Sequence, residues 1–251
     1  MLSSTLPLAA LLTLASAQDP SCSPGGNFDL SVWNLQLPTG PSSGGVDTIR
    51  ASDLQGCGGY SSDEYFFTDP STSAIVLRAP GNPDLTGCAT TSGSKHCRTE
   101  LREVQSGSGS NAAWDPSSST NILSVSMTVV EADDGTHGTA IGQVFASEES
   151  KPLAEMYYRR DGRIVVGVKP NAQDGQIIFE VGNVPVGTEF DYEMEYSYGT
   201  LSVTIDGDRT ELDTFEWDSP LSYFKAGNYN QAKSEASSEV HITAIEVVHS
   251  S

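Results

Sequence analysis

Over 251 residues the chain carries 33 acidic against 13 basic side chains, a net charge of −20 at pH 7. A body this negative repels nucleic acid and anionic membrane surfaces at long range, so neither is expected as a partner.

Residues 1–17 are uncharged and largely apolar and close on Ala15-Ser16-Ala17, a small-residue pattern that a signal peptidase accepts before Gln18. The stretch is too short to span a bilayer. It is read as a signal peptide, which makes the protein secreted and extracellular. No Pro-, Gly- or Ser-rich linker and no internal repeat divides residues 18–251, so a single domain is expected there. Cys22, Cys57, Cys88 and Cys97 all follow the leader, and an even number in an exported chain predicts two disulfides from three connectivities. A local Cys88–Cys97 bridge closes the polar loop between them and leaves Cys22 for Cys57. The cysteines lack close C-x-x-C spacing and the histidines are scattered, so no metal is expected.

Strand signals dominate from there on. Tyr65–Thr68, Ile75–Ala79, Arg98–Val104, Ile122–Val130, Ile141–Ala146, Gln176–Val181, Thr200–Ile205 and Glu239–Val248 read as strands, the longest alternating with period two. Asp161-Gly162 is a two-residue hairpin signal between Glu155–Arg160 and Arg163–Lys169, and Asp206-Gly207 is a similar turn. No segment keeps a helical period over ten residues. The fold class is all-β, an antiparallel β-sandwich or jelly roll.

Three segments carry chemistry. As a strand, Arg98-Thr-Glu-Leu-Arg-Glu103 sets Arg98, Glu100 and Arg102 on one face, a row suited to gripping carboxylates, although spacing alone favours a solvated salt-bridge ladder. Tyr223-Phe-Lys-Ala-Gly-Asn-Tyr-Asn-Gln231 groups Tyr223, Lys225, Gly227, Tyr229 and Gln231, with Gly227 read as room for a sugar ring. Ile141-Gly-Gln-Val-Phe145 puts Gln143 beside Phe145.

In order and in wording these segments resemble the signatures of polysaccharide lyase family 7, the alginate lyase family: R-(S/T/N)-E-L-R, Q-(I/V)-H and Y-F-K-A-G-x-Y-x-Q. Arg98–Arg102 and Tyr223–Gln231 match at every specified position, and Val32–Pro38 looks like the family's opening strand. The leader and paired cysteines fit a fungal-type secreted member. The resemblance implies a concave sheet forming an open groove, an acidic polysaccharide as partner, no cofactor, and a monomer. The cations would then have to be gathered in that groove.

By the same resemblance, Arg98 and Gln143 neutralise the substrate carboxylate and Tyr229 is the proton donor, while Glu100, Arg102, Phe145, Tyr223, Lys225 and Gln231 bind substrate. The family's histidine is here Phe145, which exchanges no proton. Either the protein binds without cutting, or another histidine (His96 or His137) is the base, or Tyr229 serves as base and acid in turn. In mannuronate and glucuronate H5 and O4 lie on the same side of the ring, so one residue reaches both; in guluronate they lie on opposite sides. The expectation is therefore an endo-acting, syn-eliminating lyase of mannuronan or glucuronan, aided by Lys225 and Arg98 lowering the pKa of Tyr229. A hydrolase on the same fold needs two carboxylates across the cleavage point. Asp191, Glu193 and Glu195 share a face, but Tyr192, Met194 and Tyr196 alternate opposite them, so the acids read as an outer surface.

Overall fold

Apolar residues at every second position become the facing sides of two antiparallel sheets in a computed structural model, which describes residues 18–41 and 44–250. The expected leader, residues 1–17, lies outside the described residues. The strands are β1 (Trp33–Gln36), β2 (Thr48–Ile49), β3 (Phe66–Thr68), β4 (Ile75–Ala79) and β5 (Arg98–Glu103). Then come β6 (Thr120–Glu131), β7 (Thr139–Ala146), β8 (Lys151–Tyr158), β9 (Arg163–Val168) and β10 (Ile177–Asn183). The last are β11 (Glu189–Ser197), β12 (Thr200–Ile205), β13 (Asp208–Leu212), β14 (Ser222–Tyr229) and β15 (Ser238–Ser250). One sheet has the order β10-β9-β8-β7-β14-β5-β1-β2 and the other β13-β12-β11-β6-β15-β4-β3, a jelly-roll sandwich.

The core lies between the sheets. Leu123, Val125, Met127 and Val129 point inward from β6 while the serines between them face out. Tyr192, Met194 and Tyr196 do the same from β11, with Asp191 and Glu193 exposed on the far side as expected. They meet Leu101, Val144, Met156, Val166 and Phe224 from the eight-stranded sheet. Each such side chain contributes about 1.5–3 kcal/mol relative to exposure.

Both disulfides form as expected, Cys22 with Cys57 and Cys88 with Cys97. Asp206 and Gly207, at φ +49° and +90°, make the two-residue turn between β12 and β13. The Asp161-Gly162 expectation needs correcting. β8 stops at Tyr158, and the turn takes the four residues 159–162, closed by Gly162 N–H donating to the Arg159 carbonyl at 2.9 Å.

Gly227 has a structural reason different from the one expected. Its φ of +132° lies where side chains are strained, and a Cβ there would meet Leu77 and the Thr99 carbonyl rather than open groove. The glycine sits in a bulge, where β14 slips one residue against β7 between Ala226 and Tyr229 while staying in register with β5. Gly227→Ala is expected to destabilise the protein by about 1–3 kcal/mol, read as a lowered urea midpoint at unchanged slope. An unchanged midpoint would remove the bulge from the account of this site.

Candidate active site

β7, β14 and β5 are neighbours, and their register brings the three sequence segments onto one face of the eight-stranded sheet. Lys225 pairs with Arg102 on one side and Gln143 on the other; Tyr223 pairs with Phe145, and Tyr229 with Arg98. Arg98, Arg102, Gln143, Phe145, Tyr223, Lys225 and Tyr229 line a groove of about 450 Å³, with Lys151 and Lys169 also on its wall. Five cations thus face this space against one lining carboxylate, Glu155, in a protein of net charge −20. The alternative of an outer salt-bridge ladder is ruled out, since Arg98 and Glu100 are only 4% and 2% exposed.

Glu100 holds the cations from beneath. Its Oε2 accepts from Arg98 Nη1 at 3.0 Å and lies 3.8 Å from Lys225 Nζ, while its Oε1 accepts from Gln143 Nε2. The carboxylate is therefore occupied in aligning donors. The Nε–H groups of Arg98 and Arg102 are buried without a protein partner, which suits them to a planar acceptor such as a carboxylate. Arg102 also donates to the Tyr223 hydroxyl at 2.5 Å. Phe145 packs on Tyr223 with centroids 5.1 Å apart, and Lys225 Nζ sits 3.9 Å above its ring. In place of a proton carrier, the chain has a cation–π seat for the groove's buried lysine. Burial pushes the Lys225 pKa down to about 8 in spite of Glu100.

Tyr229 stands at the other end of the groove segment. The Arg98 guanidinium carbon lies 4.0 Å over its ring, and its hydroxyl is 2.7 Å from Ser94 Oγ. Burial raises its pKa above the ordinary tyrosine value, with Arg98 and Ser94 opposing it only in part. The expected net lowering by Lys225 and Arg98 is not found, because desolvation outweighs the charge and the resting side chain is a neutral phenol.

The other expected residues are distributed around this centre. His96 stands edge-on to Tyr229 with centroids 5.9 Å apart, and burial lowers its pKa despite Asp133. His137 packs instead on Tyr157 at 5.7 Å, its Nδ1 buried and without a partner. Gln231 follows the end of β14; its backbone N–H donates to Asp133 Oδ2 at 2.7 Å and its amide folds back to the Tyr229 carbonyl at 3.1 Å.

Glu155 and Ser94 join Lys151 and Lys169 among the groove residues that sequence reasoning missed. Glu155 faces Gln143 across the β7–β8 pair and accepts from the Tyr157 hydroxyl at 3.0 Å and Gln176 Nε2 at 2.5 Å. Burial raises its pKa. A lone acid in the apolar run Leu153-Ala-Glu-Met156 was the signal available. Ser94, in a loop of many small polar residues, offered none.

The alginate lyase family profile matches residues 28–249. An alginate lyase of Klebsiella pneumoniae is 25% identical over 269 residues, covering 84% of this chain and 85% of its own. The crystal structure of alginate lyase A1-II', a member of polysaccharide lyase family 7, is similar at 28% identity and a TM-score of 0.77, covering 91% of this chain and 99% of that one. A doubly substituted form of that lyase in complex with substrate is similar at 28% identity and a TM-score of 0.79, covering 92% and 98%.

Proposed function

This chain belongs to the alginate lyase family, polysaccharide lyase family 7, and on that premise we propose that it cuts mannuronan- or glucuronan-type chains internally by syn β-elimination. At the coarser level it is a polysaccharide lyase for an alginate-like polyuronate. The observation that carries the finer reading is the convergence of five cations and Tyr229 on one groove whose family histidine is replaced by Phe145.

The chemistry follows from the charges. The C5 proton of a uronate is hardly acidic while the adjacent carboxylate is negative. Arg98 and Gln143, supported by Lys225, neutralise that group and stabilise the enediolate that develops in the transition state. The Tyr229 phenolate removes the C5 proton. The electron pair forms the C4=C5 double bond, the C4–O4 bond breaks, and the same phenol returns the proton to O4. No second proton carrier is consumed when H5 and O4 share a side.

A pH profile follows. As base, Tyr229 must lose a proton held by burial, so kcat/KM is expected to climb through neutral pH, by roughly tenfold per unit at its steepest. It levels off near the value of about 8 at which Lys225 loses its charge, because Tyr229 is still gaining phenolate there. Lys225→Arg keeps the charge, so the climb continues to higher pH. A rate that only falls from acid to neutral pH would contradict this assignment.

One observation favours a second base. His96 is edge-on to Tyr229 and kept neutral by burial, the form that accepts a proton. The lyase reading itself is tested with polymannuronate by following ultraviolet absorbance, which reports the new double bond. The expected result is a rise. New reducing ends without absorbance would mean hydrolysis, and binding with neither would mean a carbohydrate-binding protein.

A further inference from the structure

The Cys88–Cys97 disulfide closes a loop that reaches Tyr229 from outside the sheet. Ser94 Oγ lies 2.7 Å from the Tyr229 hydroxyl, accepts from the His96 backbone N–H at 3.1 Å, and reaches the His96 carbonyl at 3.1 Å. A serine hydroxyl has one proton to give and two lone pairs to accept with. These three contacts use all of that capacity while Tyr229 is a phenol: Tyr229 and His96 N–H donate to Ser94, which donates to the His96 carbonyl. When Tyr229 is a phenolate, the serine proton turns to the phenolate oxygen and the His96 N–H bond stays. Rotation of one O–H bond serves both forms, and no heavy atom moves.

The remaining neighbours act on that oxygen by charge and packing, without a side-chain hydrogen bond to it. From β5, Arg98 covers the ring and its charge favours the phenolate more than Ser94 does, while Glu100 disfavours it at longer range. From β8, Glu155 also opposes the phenolate, and Tyr157 packs beside Ala140 of β7 and Val165 of β9. His96 meets the ring edge, with Asp133 acting on His96 in turn. Among the described residues, Ser94 supplies the side-chain hydrogen bond to the phenolic oxygen.

We propose that Ser94 is a positioning residue for the elimination, its hydroxyl fixing the Tyr229 oxygen at the groove wall and following that oxygen's proton through the cycle. The inference rests on the reading of Tyr229 as base and acid. The proton taken from C5 is the one delivered to O4, and Ser94 ends the cycle with its own.

The test uses the intact protein as Ser94→Ala, Ser94→Thr and Tyr229→Phe. Two quantities are read: kcat and KM on polymannuronate, and the titration of Tyr229 by NMR with labelled tyrosine ring carbon, assigned by the missing resonance in Tyr229→Phe. Loss of one hydrogen bond to a charged oxygen predicts a fall in kcat of about tenfold in Ser94→Ala, with KM little changed. The Tyr229 titration is expected to move to higher pH, and Ser94→Thr, which keeps a hydroxyl, to restore both. An unmoved titration and wild-type kcat in Ser94→Ala, beside an inactive Tyr229→Phe, would overturn the Ser94 assignment alone. Full activity in Tyr229→Phe would overturn the reading of Tyr229 and the role of Ser94 in catalysis with it.

Discussion

Tyr229→Phe is expected to lower turnover by roughly 10²–10⁴-fold, the range for removing a positioned acid–base group, and to leave polymer binding nearly unchanged. Phenylalanine keeps the ring beneath the Arg98 guanidinium and beside Ala140, Tyr157 and Val165, so the packing survives. What is lost is the oxygen and its bond to Ser94, worth about 1 kcal/mol of stability. Kinetics read by absorbance, set beside polymer affinity from calorimetry, separate the two effects. A loss of affinity with turnover preserved would make Tyr229 a binding residue only.

Arg98→Ala is the second large effect, about 10²–10³-fold in kcat if the guanidinium stabilises the developing enediolate. This substitution also disturbs the groove floor. Glu100, only 2% exposed, loses its 3.0 Å partner and keeps Lys225 and Gln143. Removing one member of a buried ion pair costs about 3–5 kcal/mol, and the remaining donors reduce that figure here. Arg98→Lys distinguishes charge from geometry. A lysine restores much of the stability but not the fork, so the melting temperature recovers more than kcat does. Equal recovery of both would mean that charge alone suffices at this position.

Much of the fold was legible because half-buried strands print their period in the sequence. β6, β12 and β15 could be placed to within a few residues, and the outward acids of β11 were read from the tyrosines and methionine between them. β2, two residues long, leaves no period to read. The three chemical segments were legible as strands, but not which way they faced. Arg98, Glu100 and Arg102 alternate identically on a solvated ladder and on a groove floor, and the burial that Arg98 and Glu100 acquire in the folded sheet decides between them. Ser94 and Glu155 reach the site from a disulfide-closed loop and a neighbouring strand, contacts that no local pattern announces. The sign of the Tyr229 shift was out of reach for a related reason. Arginine beside tyrosine can be read from spacing, whereas desolvation depends on how the loop and β8 close over the ring.

The most direct test of the central claim, that Tyr229 alone serves both sides of the scissile bond, compares absorbance rise on polymannuronate, glucuronan and polyguluronate, using the wild-type protein and His96→Asn. The expected result is a rise on polymannuronate or glucuronan, little on polyguluronate, and the same pattern in His96→Asn. Equal cutting of polyguluronate, lost on replacing His96, would contradict the claim and make His96 the base on the opposite face.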